Sequence, residues 1–239
     1  MAIFGRRPNN DEKKITIIKN GPYLVHGKVP LVYKTQVVSE FGEPLTWKKD
    51  RVITTEEEDY YLCRCGQSSC KPFCDGTHRK IAFDGTESAS ERLTANRRIE
   101  IPGGTRLTVR KDPTLCMDSG FCGMRKRSLS QFVAASGDTQ VRSLVIAMVE
   151  RCPSGALTYT IEPGEPDIEP DLPRQIAATT EITSEGPIQG PLCVTGEIRV
   201  ERSDGLKLET RNRVTLCNCG HSANRPLCDG THRHKAGHN

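Results

Sequence analysis

The chain has 239 residues, a formal net charge of +4, and 35% hydrophobic but only 5% aromatic residues. This length fits one large domain or two to three small ones, and the hydrophobic content allows only a modest core. The mild, dispersed charge argues against a nucleic-acid partner, and no apolar run approaches the roughly 18 residues that a membrane-spanning helix needs. Residues 1–14 lack a secretory signal, and the eleven cysteines occur in ligand-like groups, so a reducing, cytoplasmic location is predicted.

The first predicted element is a small β-unit that leads into a cysteine-rich loop. Residues 31–38 alternate like a strand, and the loop reads CRCGQSSCKPFCDGTH over residues 63–78. Asp75 is predicted to cap a helical turn that presents a cysteine and a histidine four residues apart. Three thiols and one imidazole at fixed spacing are typical of a metal site. The candidate ligands are Cys63, Cys65, Cys74 and His78.

A different pattern follows in the middle of the chain. A strand is predicted at 107–109, a helix from Asp138 to just before Cys152, and another strand at 156–161. With Cys116 and Cys122 between the first strand and the helix, this order resembles half of a single-cluster bacterial ferredoxin. The resemblance implies a cluster held by Cys116, Cys122 and Cys152.

The type of that cluster is left open by the ligand set. The usual central cysteine is replaced by Ser119, and three thiolates suit a [3Fe-4S] cluster. A [4Fe-4S] cluster would need a fourth ligand, such as Ser119 or Asp118. The alternative is a ferredoxin-like fold that has lost its cluster and merely buries its cysteines.

The cysteine-rich loop occurs a second time near the end of the chain. Residues 162–173 hold four prolines and five acidic residues and are predicted to form an extended, solvated linker. Strand 197–200 and a turn at Asp204-Gly205 then lead to CNCGHSANRPLCDGTH, which repeats the ligand spacing at Cys217, Cys219, Cys228 and His232. The comparison of copies sets Cys70 opposite Asn224, which predicts a free thiol, and Cys193 opposite Leu24, which predicts a core residue. Structural zinc is one candidate for such a Cys3His set.

Both copies resemble the CDGSH iron–sulfur domains, also called NEET proteins, at every position of the C-x-C-x2-[ST]-x3-P-x-C-D-G-[SAT]-H pattern. The resemblance implies a [2Fe-2S] cluster on three cysteines and one histidine in each copy. Gln67 and His221, at equivalent positions beside the ligands, are predicted to tune the clusters by hydrogen bonding. Because that family commonly works as a dimer of single-motif chains, an intrachain pseudo-dimer is predicted, with two independent units as the alternative.

The predicted fold is α+β, with two small β-rich cluster units and an α+β ferredoxin-like domain between them. The predicted boundaries are 1–100 for the first unit, 101–162 for the middle domain, 163–179 for a Pro/acidic linker and 180–239 for the second unit. One-electron transfer to a redox partner protein is the predicted function, and cluster storage or donation to an apo iron–sulfur acceptor is the alternative. A monomer with an internal pseudo-twofold axis and no enzymatic activity is expected.

Overall fold

Residues 13–53, 57–124 and 127–235 are described by the computed structural model. These ranges form a mixed α and β structure that consists mostly of strands. The strands are β1 (Lys14–Ile17), β2 (Tyr23–His26), β3 (Leu31–Val38), β4 (Pro44–Ile53), β5 (Tyr60–Leu62), β6 (Ile99–Ile101), β7 (Thr108–Lys111), β8 (Leu157–Thr160), β9 (Gln175–Thr183), β10 (Gly186–Thr195), β11 (Arg199–Glu201) and β12 (Arg213–Leu216). The helices are α1 (Thr77–Lys80), α2 (Leu129–Ala134), α3 (Thr139–Arg151) and α4 (His232–Lys235).

The strands form three sheets. The first sheet has the order β11-β1-β2-β5, the second has the order β12-β10-β9-β3-β4, and the third has the order β6-β7-β8. No described helix is both long and apolar enough to cross a membrane. Residues 1–12, which bear on the predicted absence of a secretory signal, lie outside the described residues.

The two repeat units exchange strands, and β3 brings its antiparallel partner β4 with it into the second sheet. β3 belongs to the first repeat but pairs in parallel with β9 of the second, and β11 belongs to the second repeat but pairs in parallel with β1 of the first. The sequence pattern predicts each of these strands correctly as a strand, but it does not specify which sheet each strand joins. Each unit is completed by a strand from the other copy.

The two exchanged strands are paired in the same register. In each sheet, one isoleucine pairs with its antiparallel neighbour strand on one side and with the parallel strand of the other repeat on the other side. The partner residues occupy equivalent positions of the repeat. In the first sheet Ile15 is flanked by Val25 and Val200, and in the second sheet Ile176 is flanked by Val194 and Leu31. The sequence repeat is therefore also a repeat of strand pairing.

The middle segment forms the third sheet and the two longest helices. The side chain of Asp138 accepts hydrogen bonds from the backbone N–H groups of Gln140 and Val141, and α3 ends at Arg151, next to Cys152. The apolar face of α3 buries Val145, Met148 and Val149, which confirms the predicted helix. Because Pro153 follows directly, the residue before it is extended and the helix stops there.

This middle segment covers the second sheet. Arg213 of β12 is buried and donates from Nη2 to the carbonyl oxygen of Val149 at 3.0 Å. On β4, the Trp47 ring lies 5.6 Å from that of Phe121. Cys193 of β10 is buried as predicted, whereas the equivalent position in the first sheet, Leu24, is only half-buried.

The predicted solvated linker is shorter and more tightly held than expected. β9 begins at Gln175, inside the predicted linker range of 163–179, because residues 175–179 pair with β3 and β10 and are buried. Upstream, the backbone N–H of Ile168 donates to the carbonyl oxygen of Tyr159 at 2.7 Å. The carboxylate of Asp167 accepts from Arg110 at 2.8 Å, so the acidic segment is anchored to the third sheet.

Candidate metal centres

The first cysteine-rich loop brings its four predicted ligands together as two pairs. β5 ends at Leu62, and the thiols of Cys63 and Cys65 then lie 3.8 Å apart. The chain turns back so that the backbone N–H of Cys63 donates to the carbonyl oxygen of Pro72 at 2.8 Å. Beyond that turn, Nδ1 of His78 lies 3.3 Å from Sγ of Cys74.

The second loop has the same geometry. Sγ of Cys217 lies 3.6 Å from Sγ of Cys219, and Nδ1 of His232 lies 3.4 Å from Sγ of Cys228. The return of the chain is also repeated, since the backbone N–H of Cys217 donates to the carbonyl oxygen of Pro226 at 2.8 Å. The eight predicted ligands therefore lie in pairs, two pairs in each loop.

The aspartate of each loop supports the turn differently from the prediction. Gly76, with a φ of 85°, occupies the N-cap position of α1, and no side chain caps that helix. Asp75 stands one residue earlier and accepts from the backbone N–H of Thr77 at 3.0 Å and from that of Ser69 at 2.8 Å. These bonds lower the pKa of the Asp75 carboxyl and join the two arms of the loop. The predicted N-cap role of Asp75 is therefore wrong by one position.

The paired spacing distinguishes between kinds of metal site. Bonds of about 2.3 Å place two sulfur ligands of one tetrahedral metal about 3.8 Å apart. Each observed thiol pair has this spacing, so each pair fits one metal atom. Among the described residues, however, no three histidine, cysteine, aspartate or glutamate side chains are grouped as ligands of a single ion. The thiol pair and the thiol–imidazole pair of each loop are thus two candidate half-sites.

The surroundings of three of the eight ligands disfavour ionisation of their thiols. Burial raises the pKa values of the Cys65, Cys74 and Cys228 thiols, because a thiolate is poorly solvated inside the protein. Backbone N–H groups of Gln67 and Gly76 oppose this rise at the first loop. A bound metal would stabilise thiolates in these positions, so the residues fit an iron–sulfur cluster.

Gln67 and His221 contact the ligands by hydrogen bonds, as predicted. Their backbone N–H groups donate to the thiols of Cys65 and Cys219. Cys70 is exposed and outside the ligand pairs, as expected of a free thiol.

The two histidines have different surroundings. Nε2 of His232 lies 3.1 Å from Oε2 of Glu181, which also accepts from Nε of Arg233 at 2.8 Å. Within the described residues, His78 has no protein partner for its Nε2 atom. Burial, followed by the positive charge of Arg79, lowers the pKa of His78 below its ordinary value. The positive charge of Arg79 therefore opposes protonation of His78, whereas Arg233 is paired with Glu181.

The two loops lie against each other. Gly66 and Gly220 each have a φ of 80°, and each follows the second cysteine of its loop. A Cβ atom on Gly66 would lie 2.3 Å from the carbonyl oxygen of Cys219, and one on Gly220 would lie 2.7 Å from that of Cys65. Each loop therefore needs a glycine where it meets the ligand backbone of the other.

Two buried side chains that the sequence did not single out support the loops. The hydroxyl of Tyr23 donates to the carbonyl oxygen of Cys217 at 2.6 Å, so β2 of the first repeat supports the second loop. Arg64, between two ligands, is buried and donates from Nε to the carbonyl oxygen of Gly21 at 2.8 Å. Their equivalents in the other copy are Leu192 and Asn218, so the repeat gave no signal for them.

The middle segment gathers the third predicted set. Burial raises the pKa of the Cys122 thiol, and the nearby thiols of Cys152 and Cys116 raise it further. The Cys122 thiol therefore lies near those of Cys116 and Cys152, as ligands of one cluster would. The loop that carries Cys116 lies against the second CDGTH turn, where a Cβ on Gly230 would be 2.8 Å from the carbonyl oxygen of Met117.

Comparison with protein families agrees with this division of the chain. Residues 20–79 and 189–233 match the family described as iron-binding zinc finger CDGSH type. Residues 103–162 match the family described as divergent 4Fe-4S mono-cluster. A search of curated proteins found no match. The matched segments contain every ligand set described above, and the chain is therefore an iron–sulfur protein that carries two CDGSH segments with a mono-cluster segment between them.

Proposed function

We propose that each CDGSH segment binds one [2Fe-2S] cluster through three cysteines and one histidine. The observation that carries this proposal is the pairing of the ligands, with two thiols at one half-site and a thiol with an imidazole nitrogen at the other. Structural zinc, the alternative for a Cys3His set, would bring all four ligands to one atom.

We further propose a third cluster on Cys116, Cys122 and Cys152. Three thiolates support a [3Fe-4S] cluster, and the matched family's description names a four-iron cluster. A [4Fe-4S] form would take a non-cysteine fourth ligand from the same loop, where Ser119 is half-buried and Asp118 is exposed.

The same pairing of strands supports an internal pseudo-dimer. β3 and β11 are exchanged in identical registers, and the two glycine contacts between the loops are reciprocal. We propose that one chain does what two copies of a single-motif chain would do, and that the protein is a monomer with an internal pseudo-twofold axis.

One-electron transfer is the proposed function, in the cytoplasm and without catalysis by the protein itself. Iron–sulfur clusters supply reversible uptake of one electron at nearly fixed geometry. Here the reciprocal loop contacts and the buried Tyr23 and Arg64 hold the ligands in place, and burial of Cys63 and Cys217 limits access of water. Neutral histidine in place of thiolate removes negative charge and raises the reduction potential relative to an all-cysteine site. The partner is proposed to be a redox protein.

Metal analysis and EPR test the cluster assignment. Anaerobically purified protein should contain iron and acid-labile sulfide with little zinc, about four irons from the paired loops, and about seven with a [3Fe-4S] centre. An EPR signal from the oxidised protein identifies [3Fe-4S], because the oxidised [2Fe-2S] and [4Fe-4S] clusters are silent. Stoichiometric zinc without sulfide would refute the proposal for the paired loops, and four irons with no oxidised signal would refute the third cluster.

Cluster donation to an apo iron–sulfur acceptor is the second candidate function. It is favoured by the first site, where Cys74 is only half-buried and the described residues provide no partner for Nε2 of His78. Incubation with an apo-ferredoxin distinguishes the two functions. Transfer of intact cluster supports donation, whereas rapid, reversible reduction with all clusters retained supports electron transfer.

A further inference from the structure

Glu181 is a buried carboxylate whose only role in the described structure is at the second cluster site. It lies on β9, is fully buried, and directs Oε2 to both His232 and Arg233. Its other oxygen, Oε1, has no hydrogen-bond partner. A buried carboxylate with an unsatisfied oxygen costs folding free energy. A contribution to the stability of β9 therefore does not explain Glu181.

The contact fixes which nitrogen of His232 can bind metal. Nε2 of His232 lies 3.1 Å from Oε2 of Glu181, and a carboxylate oxygen at this position favours the tautomer with the proton on Nε2. Nδ1 then presents its lone pair beside Sγ of Cys228, at 3.4 Å. A carboxylate behind a metal-binding histidine holds the ring in orientation and makes it a stronger ligand.

The first site lacks this support because the corresponding strand is too short. β9 runs to Thr183, whereas β1 ends at Ile17, which is equivalent to Ala178, so β1 has no residue at the level of Glu181. In the described part of the chain, Arg79 forms no ion pair with a carboxylate, unlike its counterpart Arg233. The two sites therefore have the same ligands and unequal support.

The middle segment adds to this difference. Nη2 of Arg233 donates to the carbonyl oxygen of Ser119 at 3.4 Å, and Nδ2 of Asn224 donates to that of Thr114 at 2.7 Å. Both contacts tie the second loop to the segment that carries Cys116. Opening of the second site would thus break contacts that the first site does not make.

We propose that Glu181 is a positioning residue that makes the C-terminal site retain its cluster while the N-terminal site exchanges its own. This inference rests on the proposed [2Fe-2S] clusters and specifies which of them is the mobile one. The C-terminal centre would stay in place as the redox centre, and the N-terminal centre would be the one available to an acceptor.

The test measures cluster loss from the whole loaded protein with a ferrous-iron chelator, followed by visible circular dichroism. Cys74→Ser and Cys228→Ser leave one loop intact each and assign the two kinetic phases. We expect the N-terminal cluster to be lost first. In protein with the native Glu181, loss of the C-terminal cluster first, or of both clusters at the same rate, would overturn the proposal.

Glu181→Gln then tests the residue itself. The amide keeps the size of the side chain and removes its charge, so the slow phase should accelerate about 10–100-fold while the fast phase stays unchanged. The midpoint potential of the C-terminal centre should also rise, because a negative charge near the cluster is lost, and a merely structural role would not move it. The N-terminal centre of the same molecule is the internal control.

Glu201→Gln is the matched control, because Glu201 is a strand carboxylate of the first sheet that binds Lys14 and contacts neither loop. Equal acceleration of both phases by Glu181→Gln, or the same effect from Glu201→Gln, would overturn the inference while leaving the clusters established. Selective absence of the C-terminal cluster from a folded Glu181→Gln protein would support it. Absence of iron and sulfide from the unmodified protein would instead refute the proposed function.

Discussion

The contact between the two loops makes Gly66→Ala the most informative single substitution. Gly66 has a φ of 80°, and a Cβ there would lie 2.3 Å from the carbonyl oxygen of Cys219. The left-handed backbone alone costs alanine about 1–2 kcal/mol. The overlap with ligand backbone, which can be relieved only by separation of the loops, adds about 1–3 kcal/mol.

Gly205→Ala separates these two costs. Gly205 also has a φ of 80°, but nothing lies within 4 Å of the added Cβ. For a chain of this size, 1 kcal/mol corresponds to roughly 2–4 °C in Tm. Thermal unfolding of the loaded proteins should therefore show a decrease of about 2–8 °C for Gly205→Ala. Gly66→Ala should lower Tm by about 2–12 °C more than that. Equal decreases would refute the close contact between loops.

Two further substitutions test individual groups of the sites. Tyr23→Phe removes the bond to the buried carbonyl oxygen of Cys217 and should lower the free energy of unfolding by about 1–3 kcal/mol, measured by denaturant titration; an unchanged midpoint would contradict the contact. The pKa of His78 is lowered from 6.5 by burial and by Arg79, so the folded protein binds fewer protons there than the unfolded chain. That contribution to stability is present above about pH 6.5 and is lost as pH falls through the folded pKa. The free energy of unfolding should therefore decrease more between pH 7 and 5 in the parent than in His78→Cys. Equal decreases would contradict a lowered pKa of His78 in the folded protein.

The ligands and the main helix were predictable because their signals are local. Repetition of a sixteen-residue loop separates Cys63 from Cys70 without any structure, since only the former has a counterpart in the second copy. In the same way, Asp138 followed by a regular apolar face and Cys152-Pro153 marks both ends of α3. These residues determine the structure around them at distances of a few positions.

The strand exchange and the burial of Glu181 were not predictable, because both depend on contacts between residues that are far apart in the sequence. The alternation in Leu31–Val38 predicts a strand but carries no information about which sheet it joins, and its partner Ile176 is far along the chain. A glutamate in β9 is read from sequence as a solvent-facing residue. It is buried because the middle segment covers this sheet and because His232 arrives from a different element, and both are tertiary effects.

The exchange of β3 and β11 also links the order of folding to the order of synthesis. Lys14 pairs with Arg199, so the first sheet has no outer parallel strand until most of the chain has left the ribosome. Closing a loop of about 185 residues carries an entropic cost of about 4–5 kcal/mol, and such non-local parallel pairing forms slowly. The contacts of α3 with α2 and β8 are closer in sequence and need no such closure. The middle segment should therefore form early and provide the surface on which the second sheet, and finally the first, is assembled.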